Sequence, residues 1–169
     1  MLRRNVENNH PAAVCHLGSC YDDGELSLVP SHKKAARLYQ RAVELGDVMA
    51  MNNVGSAYEH GRGVKLDKKK AFKHFQMAAD RGCATAQYNV GYCYADGDGV
   101  IQDYAEAFRF FKLAANQGFT EAEFNLGCMY EDGDVVARDS DTAEAIRWYE
   151  RAAAKGHEKA KDALARLKK

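Results

Sequence analysis

Apolar positions along the chain fall into two alternating helical patterns. Over residues 48–60, Ala50, Val54, Ala57 and Tyr58 recur at the spacing that places side chains on one face of an α-helix. Over residues 67–82, Ala71, Phe75, Ala78 and Ala79 do the same, with polar and charged residues between them. Gly61 and Gly63 separate the two runs, so together they read as a helical hairpin. Moving 36 residues forward gives the pattern again, with Ala107, Phe111, Ala114 and Ala115 on the second helix. A further 36 residues bring Asn125, Gly127, Tyr130 and Gly133, then a loop two residues longer before Asp141, Ala145, Tyr149, Ala152, Ala153 and Gly156. An upstream copy, offset by 37, carries Ala13, Gly18, Tyr21, Gly24, Ala35, Tyr39, Ala42 and Gly46. A fixed period of this length means stacked repeat units. The fold expected is all-α: a superhelical solenoid of stacked helical hairpins, about four repeats plus a C-terminal capping helix, forming one domain over residues 1–169.

Local chemistry sets the boundaries. Ser31, Asp67, Asp103 and Asp141 each precede a second helix and can accept the free amide hydrogens of its first turn. Glu106 and Glu144 follow three residues after the last two caps and complete capping boxes. Pro11 and Pro30 both lie where a helix start tolerates proline. Asn9 falls where other copies have a helix-ending glycine, which predicts a left-handed backbone there. The repeats are therefore placed at 10–46, 47–82, 83–118 and 119–156, after the tail of a preceding helix at 1–9 (Leu2 and Val6 in its inner slots) and before a polar capping helix at 157–169. Gly55 sits in mid-helix at a cost of up to ~1 kcal/mol relative to Ala. Its return at Gly18, Gly91 and Gly127 predicts close approach of the partner helix.

Composition narrows the function. Lys+Arg and Asp+Glu are both 24, which argues against a general electrostatic partner such as nucleic acid. No apolar run reaches the roughly 20 residues of a membrane span, and the N-terminus lacks the apolar core of a secretory signal. Five cysteines, an odd number, point to a soluble intracellular protein with reduced thiols, and a cytoplasmic location and a monomeric state are expected.

The pattern from Ala50 to Gly82 and from Ala86 to Gly118 resembles the Sel-one-like repeat, a relative of the tetratricopeptide repeat. The resemblance implies adaptor or scaffold roles, as in quality control, signalling and bacterial host interaction. The first copy departs from the pattern at Leu26, and the fourth has Val135 in place of the second turn glycine. In the cysteine-rich branch of the family a disulfide staples the two helices of each hairpin. Here Cys15, Cys20, Cys83, Cys93 and Cys128 all fall in first helices or at their starts, so that staple has no partner thiol. Cys20 and Cys93 hold equivalent slots two repeats apart, beyond bridging distance.

Other chemistry is weakly signalled. Asp96-Gly97-Asp98-Gly99 and Asp132-Gly133-Asp134 lack the spacing of a calcium loop, and the histidines share no zinc-ligand spacing with a cysteine pair. No metal and no cofactor is expected. Ser31-His32-Lys33-Lys34 matches a loose Ser-x-x-Lys pattern, but Ser31 already serves as a cap and the companion elements are missing. The run Lys65, Lys68, Lys69, Lys70 and Lys73 reads as a solvated face, with an acidic docking patch as the alternative.

The remaining candidate is a groove lined by first helices. Its stripe is Asn52, Asn53, Ser56 and Glu59 in one repeat, then Tyr88, Asn89, Tyr92 and Asp96, then Phe124, Asn125, Cys128 and Asp132. The amides of Asn53, Asn89 and Asn125 suit an extended peptide backbone, or bond between repeats. Tyr88, Tyr92 and Phe124, read as solvent-facing, would receive partner side chains. Cations are missing from this stripe, while Asp22, Asp23, Glu59, Asp96, Glu131 and Asp132 gather near one rim. The expected function is a non-enzymatic scaffold that binds a neutral or basic protein segment. The alternatives are a hydrolase of the type loosely attached to this family, or a structural fragment of a longer array.

Overall fold

Asp and Ser side chains at the start of each second helix define where the chain turns back. Ser31, Asp67, Asp103 and Asp141 accept hydrogen bonds from the amides of Lys34, Lys70, Glu106 and Glu144, respectively. These four bonds begin α3 (His32–Glu44), α5 (Lys68–Ala79), α7 (Tyr104–Asn116) and α9 (Thr142–Ala154). The first helices are α2 (Pro11–Asp23), α4 (Val48–His60), α6 (Ala84–Asp96) and α8 (Thr120–Asp132), with α1 (Leu2–Glu7) before them and α10 (Glu158–Leu167) after. The computed structural model describes residues 2–133 and 141–168, with side chains from residue 5 onward. The sequence assignments made for Leu2, Asp134, Val135 and Lys169 lie outside those described side chains.

The chain is an all-α repeat solenoid with a C-terminal helix, and it divides into two units, residues 1–83 and 84–169. In the first unit, Val14, Cys15, Ala35, Tyr39, Ala42, Ala50 and Val54 form one buried cluster joining α2, α3 and α4. In the second, Phe111, Ala114, Ala115, Ala122, Leu126 and Trp148 join α7, α8 and α9, and Tyr149, Ala152 and Ala160 carry the packing on to α10. Alanine on both faces lets the helices approach, and one large ring per hairpin fills the remaining volume.

That ring explains the mid-helix glycine. A Cβ on Gly55 would lie 2.6 Å from the Phe75 ring, and one on Gly91 would lie 2.7 Å from Phe111. Gly18 meets Tyr39 and Gly127 meets Tyr149 in the same way. Each contact is far inside van der Waals distance, so the glycine and the ring are one packing device. Asn9 has a φ of 56°, as its place in the repeat required. Leu26 and Ser27 also lie in the left-handed region, where the first turn departs from the glycine pattern.

A second series of contacts closes the last three hairpins. The Met51 thioether accepts from Arg81 at 2.9 Å, the Gln87 amide oxygen from Gln117 at 2.7 Å, and the Glu123 carboxylate from Lys155 at 2.8 Å. Position and partner are equivalent in the three copies, but the chemistry runs from thioether to amide to ion pair. Glu123 is fully buried and is held by both Arg151 and Lys155, which also donate to the carbonyls of Ala115 and Gly118.

His74 occupies the place taken by Phe110 and Trp148 in later copies. It stacks on Tyr58 at 5.8 Å, its Nδ1 is buried without a partner among the described residues, and burial pushes its pKa down. A folded-state pKa below the unfolded value means that the unfolded chain binds the proton more readily. Stability is therefore lost as pH falls below about 6.5, the ordinary histidine value. His74→Phe is expected to stabilise the protein by about 1–2 kcal/mol, because it removes an unpaired buried polar atom. It should also flatten the acid side of a thermal-melt pH profile.

Candidate functional site

In the first unit the predicted stripe is mostly engaged in internal bonds. Asn52 is only 7% exposed and is withdrawn from the surface. Asn53 donates to the Cys15 thiol at 3.7 Å, joining α4 to α2. The Ser56 hydroxyl accepts from Arg62 at 3.0 Å. Arg62 also faces Asp22 at 3.8 Å, and Asp22 bonds His32 at 2.7 Å. These groups enclose a cleft of only about 50 Å³ with Tyr39 at its base. Burial pushes the Tyr39 phenol up to about 12, so it stays a neutral donor to Ser19.

In the second unit the three stripe aromatics separate by role. Tyr88 is half-buried, packed on Phe111 at 5.7 Å and Phe119 at 5.0 Å, with its hydroxyl bonded to Asn125. Phe124 lies between Tyr149 at 5.6 Å and His157 at 4.5 Å. The expectation that both face solvent therefore fails: each fills space against a neighbouring helix of its own unit. Tyr92 is the exposed ring, at 42%. The Asp96 carboxylate, one turn along α6, accepts from the Tyr92 hydroxyl and raises the phenol's pKa. Asn89 is engaged elsewhere in the fold.

A cleft of about 540 Å³ opens between α8 and α10. Phe124, Cys128 and Tyr149 form its floor, with Asp132, Asp162 and Lys159 on its walls. Tyr149 donates to Glu131 at 2.9 Å, and Glu131 in turn accepts from Arg166 at 2.9 Å. Arg166 holds the Glu131 carboxyl below the usual range, whereas burial drives the Tyr149 phenol well above its own. Asp132 and Asp162 make no ion pair among the described residues, so the free charge of the cleft is mainly acidic. The sequence reading missed Asp162, because it fell in the segment read only as a polar cap.

All five cysteines are free thiols. Burial, with Asp47 beside it, pushes Cys15 up to about 12, and burial also raises Cys20 and Cys128. A raised pKa removes the thiolate, so these groups are poor nucleophiles. Ser31 is engaged as the cap of α3.

Repeated hairpins of one register define an α-helical repeat protein. The model of the Sel1 repeat matches four segments, 11–47, 48–83, 84–119 and 120–157, and the chain belongs to the Sel1 repeat family. It is similar to a Sel1 repeat protein from Oxalobacter formigenes, with 32% identity and a TM-score of 0.87 over 94% of this chain and 63% of that one. It is also similar to c5321, a protective antigen of uropathogenic Escherichia coli that displays the same class of fold. That match has 27% identity and a TM-score of 0.86, over 98% of this chain and 35% of the antigen. Cysteine rich protein B of Helicobacter pylori, at 24% identity and a TM-score of 0.58 over 72% of this chain and 91% of that one, shares the fold. The chain spans less than two thirds of the length of the first two. No curated protein matches it by sequence. Among the described residues, no helix is long and apolar enough to cross a membrane.

Proposed function

We propose that this chain is a non-enzymatic scaffold whose second unit binds an extended, neutral or basic segment of a partner protein along α6, α8 and α10. The carrying observation is the exposed Tyr92 ring, with Asp96 beside its hydroxyl, on the same unit as a cleft whose unpaired charges include Asp132 and Asp162. An exposed aromatic ring is a typical anchor for a partner side chain. The carboxylates would favour a Lys or Arg of the partner over an acidic residue. Half-buried Tyr88, Phe124 and Asn125 then act as the wall that orients this surface, while Asn53 and Ser56 belong to the internal bonding of the first unit. The raised cysteine pKa values and the capped Ser31 favour a binding role over a hydrolase. On this reading the chain works as a monomer in the cytoplasm, a reducing compartment in which free thiols persist.

The test is binding of the full-length protein to arrays of extended peptides that differ in charge. Tyr92→Ala with Asp132→Ala should weaken capture of neutral and lysine-containing peptides by about tenfold or more, the loss typical of one hot-spot side chain. The melting temperature should hold, since both side chains are exposed. Equal capture by the variant, or a preference for acidic peptides lost with these residues, would refute the assignment.

A further inference from the structure

The zero net charge conceals an uneven distribution. Residues 1–83 carry 13 Lys and Arg against 9 Asp and Glu, whereas residues 84–169 carry 11 against 15. One register position contributes to both imbalances: the third residue of the second helix is Lys34, Lys70, Glu106 and Glu144 in successive copies. Glutamate there is favoured by the partial positive charge of a helix N-terminus, and lysine is opposed by it. The first turns of α3 and α5 hold Lys33, Lys34, Lys68, Lys69 and Lys70 and no acidic residue, while α7 and α9 have Glu106 and Glu144. The first unit thus concentrates cations where its own helices disfavour them.

Internal compensation is partial. Lys34 lies over the Tyr21 ring at 4.9 Å and Lys70 over Tyr58 at 5.3 Å, which orients two ammonium groups without neutralising them. Asp67 faces Lys70 at 3.7 Å but already caps α5, and Asp22 is committed to His32 and Arg62. The turn between α4 and α5 lies against the start of α3. A side chain on Gly63 would run into the carbonyl of His32. Beside the start of α5 an apolar notch opens, formed by Tyr58, Val64 and Leu66 and edged by Lys65, Lys70 and the capping Asp67. Leu66 is 55% exposed and Val29, on the preceding turn, is 82% exposed.

We infer that the hairpin-turn edge of the first unit is a docking surface for an acidic protein segment that carries an aliphatic anchor. The lysines at the starts of α3 and α5 face the carboxylates, and the notch at Leu66 takes the anchor. Charge complementarity selects an acidic partner. The exposed aliphatic side chains favour a peptide over a polyanion that offers only backbone charge, since such binding rests on phosphate neutralisation alone.

The experiment titrates the full chain into three fluorescent probes: a Glu/Asp-rich peptide containing one leucine, its Lys-rich counterpart, and an oligothymidylate matched in charge to the acidic peptide. The acidic peptide should bind, and Lys33→Glu with Lys69→Glu should weaken it by about tenfold or more. Leu66→Ala should weaken it several-fold with no change in charge. The charge-reversed variant should melt at the same or a higher temperature, because acidic residues suit a helix N-terminus. If reversal nevertheless perturbs folding, Lys33→Gln with Lys69→Gln carries the same comparison. The inference is overturned if the acidic peptide fails to bind, if it binds the variants unchanged, or if oligothymidylate binds as tightly and ignores Leu66→Ala.

Discussion

Removing both cations that face Glu123, in the variant Arg151→Ala/Lys155→Ala, is expected to destabilise the protein by about 3 kcal/mol. The figure sits at the low end of the range for breaking a buried ion pair, because both cationic heads keep contact with water. The carboxylate would be left fully buried beneath α9, and the carbonyls of Ala115 and Gly118 would each lose a donor. A fall in melting temperature on the order of 10 °C follows for a chain of this length. The partner experiment is Glu123→Met, which installs the residue that the second repeat carries at the same position as Met51. That exchange should cost under about 1.5 kcal/mol, since the side chains are similar in size and the freed cations can turn to solvent. Urea melts of the two variants give the comparison directly. Equal losses would mean that the cluster is a net stabiliser and not a tolerated substitute for packing.

Gly91→Ala should destabilise by about 1–3 kcal/mol, although alanine is the better helix former by nearly 1 kcal/mol. The new methyl would sit 2.7 Å from the Phe111 ring and 3.2 Å from the Ala107 carbonyl oxygen. The sign is what tests the packing: an exposed mid-helix glycine would respond in the opposite direction. Adding Phe111→Leu should recover part of the loss, giving a coupling of the kind expected for residues in contact. Additive losses in a thermal-denaturation cycle would show that glycine and ring are independent.

Much of this architecture was legible because it is local. Caps at Ser31, Asp67, Asp103 and Asp141, the left-handed Asn9 and the glycine that makes room for a ring each depend on a few residues of one repeat. The surface was harder to read. Position 88 and its equivalent 124 lie at the border of the buried helical face, where 3.6-residue periodicity does not say whether a ring packs inward or out. Tyr88 and Phe124 turned toward neighbouring helices of their unit, and Tyr92, one turn further along α6, remained outside. Glu123 was silent in the sequence because its copies are Met51 and Gln87, three chemistries with no shared motif. The matching changes at Arg81, Gln117 and Lys155 were the available signal, and they become visible only when the hairpin is closed. The lysine run was visible, but its apolar notch depends on how the α4–α5 turn brings Val64 and Leu66 beside Tyr58.

The glycine–ring pairs have one more consequence. Gly18 with Tyr39, Gly55 with Phe75, Gly91 with Phe111 and Gly127 with Tyr149 all match within a hairpin. The closing contacts of Met51, Gln87 and Glu123 also match within one. Gly46 and Gly82, at joints between hairpins, and Gly156, before α10, have open space around them, whereas Gly118 is tied to Lys155 of the next hairpin. Whole hairpins are therefore the units that recombination or engineering can shuffle, cut at the open joints, while a cut at Gly118 would give up the bond from Lys155. Shuffling single helices would mismatch a lock and its key inside every hybrid.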